Sequence, residues 1–184
     1  ICSCMRQVRH LESQNEALDI FDDKVTMIDA RQARGGGQRV TTLWLLDVMQ
    51  AMVVKKGARF LVIDTWSRIH HPYESGKNEF QQEDEELQML QDFAHEYGVS
   101  VYLVAHPRKP SGDFRSPPTE YDIAGSKAFV NNADDIWIIH RASKNDTSLF
   151  FKNSKVRNQQ YGGSIGWLSF EFDADTRTLV AGRT

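Results

Sequence analysis

The most continuous hydrophobic pattern in the chain is the run Phe60–Ile63, which consists of residues that favour strands and which ends at Asp64. Unbroken apolar runs of this length are typical of strands buried on both faces of a parallel sheet. A second run, Val99–Ala105, has the same character and ends at His106. Because the pattern between the two runs is helical, we predict two buried parallel strands joined by a helix in a right-handed crossover.

Two helices are predicted from residues at three-and-four spacing. The first begins near Val40 and ends at Gly57, a residue type common at helix C-termini. The second has the acidic run Glu83–Glu86 in its N-terminal turn, where carboxylates favour the helix dipole, and it ends at Gly98. The positions at this spacing are Leu43, Trp44, Asp47, Val48, Ala51 and Met52 in the first helix, and Leu87, Leu90, Phe93, Ala94 and Tyr97 in the second.

The remaining segments are predicted to be short elements and loops. The polar stretch Arg68–Glu83, which contains His70 and His71, is predicted to be an exposed loop. The last strands alternate in hydrophobicity in the manner of an antiparallel hairpin at a sheet edge. We predict strands at Lys24–Asp29, Ile136–Arg141, Leu149–Val156 and Trp167–Phe172, and a helix at Tyr121–Asn132.

Composition restricts the class of protein. The 184 residues, 40% hydrophobic and 26% charged, fit one soluble globular domain, and the start at Ile1 indicates a piece cut from a longer protein. No apolar run has the length of a membrane span, and no signal peptide is recognisable. Cys2 and Cys4 are too close in the chain to pair with each other, which favours a reducing, cytoplasmic setting. The net charge of −3 excludes a uniformly basic surface, so nucleic acid would have to be bound by local basic loops.

The residues that follow the two predicted parallel strands are candidates for a binding site. Open α/β sheets bind ligands beyond the carboxyl ends of their strands. Asp64 is therefore a candidate to hold Mg²⁺ with a nucleotide, because Mg²⁺ prefers one or two carboxylates together with phosphates and waters. A capping or solvated aspartate is the alternative interpretation. His106 should emerge at the same edge, although a histidine after a strand is more often structural.

Four features occur in a fixed order along the chain. They are the strand ending at Asp64, the sequence VAHPRKP at Val104–Pro110, the segment Pro117–Ser126 followed by Ala-Asp-Asp at 133–135, and Lys155-Val156-Arg157. On these motifs the chain resembles the RecA-type domain of DnaB-like replicative helicases, in particular the phage and plasmid primase-helicases and the Twinkle type. The resemblance runs from about Val40 to the end. It implies a RecA-like three-layer α/β/α fold with a mainly parallel twisted sheet and antiparallel C-terminal edge strands.

The resemblance also implies roles for individual residues. Asp64 resembles the Walker B aspartate, which holds Mg²⁺ through its water shell, and His106 resembles the residue that senses the γ-phosphate. Lys155 and Arg157 resemble the pair that reaches the ATP site of the neighbouring subunit, the arginine as a finger. The DNA contacts it implies are Arg108 and Lys109, in a loop similar to the one that grips single-stranded DNA, and Gly125, Ser126 and Lys127.

The cofactors implied by the resemblance are ATP or another NTP and Mg²⁺. The implied partners are single-stranded DNA, further copies of the chain in a ring such as a hexamer, and a primase domain. No membrane is an implied partner. Phosphoryl transfer needs mainly charge compensation, which a metal and an arginine supply. DNA binding without sequence readout needs only a few cations in a channel. The alternative interpretations are solvated sheet-edge cations for Lys155 and Arg157, and a solvated turn for Arg108 and Lys109.

The chain departs from the family before Val40. The glycines at 35–37 do not form a P-loop, because Gln38 and Arg39 stand where that motif has its lysine and hydroxyl residue. They are interpreted as a flexible connector. Since neither the Walker A lysine nor the catalytic glutamate is recognisable, we expect negligible ATP hydrolysis by these 184 residues alone and hydrolysis by the parent protein. The alternatives are a non-catalytic RecA-like DNA-binding or assembly module, and a RecA- or KaiC-like ATPase.

Overall fold

The computed structural model describes residues 19, 21–29, 39–72, 76, 78–107, 117–123, 126–141, 143, 146–162, 166–176 and 178–182. Helices and parallel strands come first in the chain, and antiparallel strands follow. The elements are α1 (Thr42–Lys56), β1 (Phe60–Asp64), a 3₁₀ turn (Trp66–Arg68), α2 (Glu79–Tyr97), β2 (Ser100–Val104), a second 3₁₀ turn (Glu120–Asp122), α3 (Ser126–Asn132), β3 (Asp135–His140), β4 (Ser148–Val156), α4 (Gln159–Gly162), β5 (Gly166–Asp173) and β6 (Thr178–Ala181).

The strands form one parallel pair and one antiparallel sheet. β1 pairs in parallel with β2, with Asp64 opposite Val104. β3, β4, β5 and β6 pair in that order, each antiparallel to the next. The rings of Tyr102 in β2 and Trp137 in β3 are 5.7 Å apart, which places β3 beside β2. The predicted combination of parallel strands with antiparallel C-terminal strands is therefore present, and β6 is an element that the sequence analysis missed.

The core lies on one face of the parallel pair, between the strands and the helices. Leu61 and Ile63 point from β1 into it, and α2 contributes Leu87, Leu90 and Phe93. Both long helices end at glycines in the left-handed conformation, as predicted, because φ is +67° at the first terminus and +61° at the second. None of the described helices is long and apolar enough to cross a membrane.

The prediction that β1 and β2 are buried on both faces is wrong. Phe60 and Val62 are 70% and 68% exposed, while the alternate residues of β1 are buried. On β2, Tyr102 and Val104 are each 37% exposed. The physical reason is that the described helices pack on only one face of these strands, so the side chains on the other face of the pleat remain open.

α2 begins four residues earlier than predicted. The side chain of Asn78 accepts a hydrogen bond from the backbone N–H of Gln81 (2.9 Å), and the Gln81 side chain accepts one from the N–H of Asn78 (3.2 Å). This capping box satisfies two free N–H groups and starts the helix at Glu79. The acidic run Glu83–Glu86 therefore lies in the second turn, beyond the reach assigned to it at the helix dipole.

Three further boundaries differ from the prediction. The strand expected at Lys24–Asp29 is wrong, since residues 21–24 form a helical turn and residues 25–29 have no regular structure. The helix expected at Tyr121–Asn132 is a 3₁₀ turn followed by the shorter α3. In α1, Met52 is the predicted residue that packs against the core cluster, whereas Leu43 is 62% exposed. The α1 residues in the core are Leu45, Leu46, Met49, Met52 and Val53.

Candidate functional site

Asp64 and His106 emerge at the same edge of the parallel pair. Asp64 is the last residue of β1 and lies opposite Val104, so His106 follows two residues beyond that point on the neighbouring strand. Both side chains are exposed. The peptide bond between Asp64 and Thr65 is cis. The predicted placement of the two residues at one edge is confirmed, and we call it the Asp64 edge.

The Asp64 edge is suited to a metal ion that takes most of its ligands from phosphate and water. Among the described residues, no hydrogen bond or ion pair engages the carboxylate of Asp64, and no group of three or more His, Cys, Asp or Glu side chains could hold a metal ion. A Mg²⁺ ion bound by Asp64 would therefore take most of its oxygen ligands from phosphate and water. That division of ligands is the usual one for Mg²⁺ in nucleotide sites.

The segment that leaves Asp64, residues 65–72, is anchored at several points. The exposed loop predicted from Arg68 onward is therefore wrong at Ile69, although Arg68 and Pro72 are exposed. Trp66 is 5% exposed, and its Nε1 donates a hydrogen bond of 3.0 Å to Oε1 of Glu83. Its ring centroid lies 4.8 Å from that of His71 and 6.1 Å from that of Phe129. Ile69 is also buried. The segment is thus packed against α2 and α3.

Glu86 of α2 is the centre of a buried polar network. Its Oε2 accepts a hydrogen bond of 2.8 Å from the hydroxyl of Thr42 and another from Nδ1 of His71. Its Oε1 accepts a 3.3 Å hydrogen bond from Nε2 of Gln82, which also donates to the carbonyl of Pro72. We call Thr42, His71, Gln82 and Glu86 the Glu86 network.

The network changes the acidity of its members. The hydrogen bond to Glu86 raises the pKa of His71, although burial opposes the rise. Burial alone would raise the pKa of Glu86, but the hydrogen bonds from His71 and Thr42 outweigh burial and lower that pKa. Burial raises the pKa of the neighbouring Glu83 in spite of its bond from Trp66. His71 and Glu86 therefore favour a charged pair.

The network was not predicted from the sequence, although one signal was available. Glu86, Leu90, Phe93 and Tyr97 are spaced by four, three and four residues, so Glu86 continues the apolar stripe of α2. A carboxylate on an apolar stripe needs buried partners. The sequence does not reveal which residues those partners are, because Thr42 comes from α1 and His71 from a segment expected to be loop.

The side chain of Lys155, at the end of β4, binds carbonyl groups of its own chain. Its Nζ donates hydrogen bonds to the carbonyl oxygens of Val130 (2.5 Å) and Ala133 (2.6 Å), at the C-terminal end of α3. Cations are favourable at this end of a helix. Burial, and then the nearby charge of Arg157, lower the pKa of Lys155.

Arg157 is held at the same end of α3, but its side chain remains partly exposed to solvent. One guanidinium nitrogen donates to the carbonyl of Asn131 (2.7 Å), and another forms an ion pair of 2.9 Å with Asp134. The side chain of Arg157 is 44% exposed. We call Lys155, Arg157 and Asp134 the cation cluster.

The cation cluster lies away from the Asp64 edge. Trp66, just after Asp64, contacts Glu83 in the first half of α2. Asp134 contacts Gln91 (3.4 Å) and His95 (3.9 Å) in the second half. At a rise of about 1.5 Å per residue, these contacts are separated by about 12 to 18 Å along the helix axis. The four predicted catalytic residues are thus grouped in two separate pairs.

Most of the predicted DNA contacts lie outside the described residues. Arg108, Lys109 and Gly125 are not described, and only the backbone of Ser126 is. Lys127 is exposed on α3. Pro107 and Ile123 form an isolated antiparallel bridge, so the residues that precede the two predicted DNA segments are neighbours.

Comparisons with known proteins identify related sequences. Residues 5–112 match a family model described as AAA domain. The Twinkle homolog protein, chloroplastic/mitochondrial, of Arabidopsis thaliana is 32% identical over 137 residues, covering 72% of this chain and 19% of that protein. The chain thus spans about a fifth of the curated relative it matches.

Two solved structures share the fold. One is an ATPase domain that matches with a TM-score of 0.69 and 15% identity, covering 98% of this chain and 64% of that one. The structure of a DnaB-like replicative helicase and its interactions with primase matches with a TM-score of 0.66 and 16% identity, covering 98% of this chain and 44% of that one. The RecA-like α/β fold and the resemblance to DnaB-like helicases are confirmed.

Proposed function

Because this chain belongs to the AAA domain family, we propose that it is the motor domain of a replicative DNA helicase, in which hydrolysis of Mg²⁺-bound ATP drives translocation on single-stranded DNA. The main support is the Asp64 edge, where an exposed carboxylate and an exposed imidazole follow neighbouring parallel strands. Ligands of open α/β sheets bind at such edges.

At this edge the two residues would have different tasks. Bound Mg²⁺ would neutralise charge on the phosphates as the γ-phosphoryl group is transferred. Asp64 would hold the ion through its water shell, which suits a carboxylate with no other described partner. The imidazole of His106 can donate or accept a hydrogen bond, so it can respond to the presence of a γ-phosphate.

Arg157 is proposed to act on the ATP of a neighbouring subunit. The guanidinium lies too far from the Asp64 edge of its own chain to contact a phosphate there, since its partner Asp134 packs about 12 to 18 Å further along α2 than Trp66 does. A ring of identical subunits, such as a hexamer, would bring one chain's Arg157 to the next chain's Asp64 edge. Arginine suits this task because its planar fork matches phosphate oxygens.

Lys155 is proposed to help hold Arg157 in place. Its ammonium binds two carbonyls at the end of α3. The carbonyl of Asn131, in the same turn, binds Arg157. By binding these two carbonyls, Lys155 would fix the turn that carries the Asn131 carbonyl. That carbonyl in turn orients the guanidinium of Arg157.

DNA binding is proposed for the two segments that begin at the Pro107–Ile123 bridge. Arg108, Lys109, Gly125, Ser126 and Lys127 would contact the phosphate backbone without reading its sequence. A primase is a further proposed partner, since the matched DnaB-like replicative helicase is described together with its interactions with primase.

The test of the catalytic proposal is Asp64→Ala in the full-length protein. We expect DNA-stimulated ATP hydrolysis to fall by roughly 100-fold or more, because the hydrated metal loses the carboxylate that holds it beside the phosphates. Asp47→Ala is the matched control, since Asp47 is exposed on α1 and lies beside Asp92 and Glu96 in the second half of α2. A full-length protein that binds DNA but hydrolyses no ATP would instead support a non-catalytic RecA-like module.

The test of action between subunits is to mix two inactive variants, Asp64→Ala and Arg157→Ala. If the arginine serves the next subunit, about a quarter of the interfaces in a randomly mixed ring combine an intact Asp64 with an intact Arg157. ATP hydrolysis should therefore reappear on mixing. Mixtures that stay inactive would show that each chain uses its own arginine or none.

A further inference from the structure

The Glu86 network places a buried carboxylate between α1, α2 and the segment that follows β1. Glu86 is 8% exposed, and a buried carboxylate is costly unless several donors satisfy it. Thr42, His71 and Gln82 supply those donors. Replacing a buried ionic group by packed apolar side chains is often neutral or stabilising. What the network adds beyond packing is a connection between segments that are distant in the chain.

The network holds residues 65–72, the segment that follows Asp64, against α2. The near end of residues 65–72 is anchored by Trp66 on Glu83. The far end is anchored by His71 on Glu86 and by the carbonyl of Pro72 on Gln82. Both anchors are on α2, and the hydroxyl of Thr42 ties the same carboxylate to the first turn of α1.

We propose that His71 and Glu86 are positioning residues for Asp64, and that the bond between them fixes residues 65–72 so that the Asp64 carboxylate meets the metal-nucleotide in one orientation. This inference rests on the proposed function of the Asp64 edge. Among the described residues none bonds to the carboxylate of Asp64, so within this part of the chain its orientation is set by the backbone that holds it. Ligand orientation by such outer partners is a general feature of metal sites.

The test is His71→Phe in the full-length protein. Phenylalanine keeps a ring against Trp66 and removes the bond to Glu86. The readout is binding rather than turnover: the dissociation constant of Mn²⁺, used in place of Mg²⁺ and followed by electron paramagnetic resonance, in protein loaded with one equivalent of a non-hydrolysable ATP analogue. Loss of an outer partner should weaken metal binding roughly tenfold.

The matched control is His70→Phe. His70 is the preceding residue, and its ring contacts Arg39 at 3.3 Å rather than Glu86. We expect its Mn²⁺ affinity to stay within about twofold of the parent. If His71→Phe does not fold, the pair Thr42→Val and Thr42→Ser decides: valine removes the hydroxyl that donates to Glu86 and should weaken Mn²⁺ binding, while serine keeps the hydroxyl and should restore it.

The Mn²⁺ affinity of the Asp64→Ala variant distinguishes a failure of the positioning role from a failure of the proposed metal site. If Asp64→Ala weakens Mn²⁺ binding while His71→Phe and Thr42→Val leave it unchanged, the positioning role is wrong and the proposed site stands. If Asp64→Ala itself leaves Mn²⁺ binding unchanged, the proposed metal site is wrong.

Discussion

Replacing His71 by phenylalanine should lower the stability of the fold in a pH-dependent way. The substitution deletes the Nδ1 donor to Glu86 and keeps an aromatic ring 4.8 Å from Trp66. The buried carboxylate then retains Thr42 and Gln82 as donors. The free energy lost is therefore that of one charge-assisted hydrogen bond and not that of the whole network.

The magnitude follows from that bond and its exposure. Hydrogen bonds to charged groups contribute about 1.5 to 3 kcal/mol. The side chains of His71 and Glu86 are 32% and 11% exposed, so solvent screens the pair only in part, and about 2 kcal/mol is expected near pH 6. For a chain of this size the midpoint of thermal unfolding should fall by about 4 to 8 °C.

The pH dependence follows from the two pKa shifts. The pKa of His71 is raised above its ordinary 6.5, so its contribution is complete below that pH and is lost as pH rises through the raised pKa. The pKa of Glu86 is lowered below its ordinary 4.5, so its contribution is present above that pH and is lost as pH falls through the lowered pKa. The pair is thus most stabilising between the two. Above the His71 pKa the neutral imidazole still donates to the ionised carboxylate, but the attraction between opposite charges is lost, so about 1 kcal/mol remains.

The assay is thermal unfolding of the parent and variant chains at pH 6 and pH 9, followed by circular dichroism. The difference between the two chains should be about twice as large at pH 6 as at pH 9. His70→Phe is the control and should show no such change. An equal difference at both pH values, or none, would refute a charged pair between His71 and Glu86.

Two other stability predictions use neighbouring or equivalent positions as controls. Ile138→Ala should cost about 2 to 5 kcal/mol in chemical denaturation, and Ile139→Ala on the other face of β3 less than about 0.5 kcal/mol, because the two residues are 8% and 66% exposed; similar losses would mean that the outer face of β3 is covered. Gly98→Ala should cost about 1 to 2 kcal/mol because φ is +61° there. Gly166→Ala, at an open position without positive φ, should cost almost nothing, and equal costs at the two glycines would contradict the cap geometry.

Local patterns in the sequence were sufficient for the parallel strands and for the edge they share. Apolar runs of strand-forming residues indicated β1 and β2, the helical spacing between them implied a parallel pair, and Asp64 and His106 followed from the strand ends. Gly57 and Gly98 marked both helix termini, because only a glycine adopts a left-handed conformation there at little cost. Each of these inferences depends on residues adjacent in the chain.

Burial and side-chain partners required the tertiary structure. A run such as Phe60–Ile63 has the same pattern whether one face of its strand is covered or two, and the position of the helices decides which is true. Glu86 meets Thr42 and His71 only when α1, α2 and the segment after β1 come together. Arg157 likewise meets Asp134 only because β4 pairs antiparallel with β3, with Val156 opposite Asp135. The sequence by itself determined which elements form and which strand ends carry polar groups, whereas contacts between distant segments, and the charges they stabilise, were decided by packing.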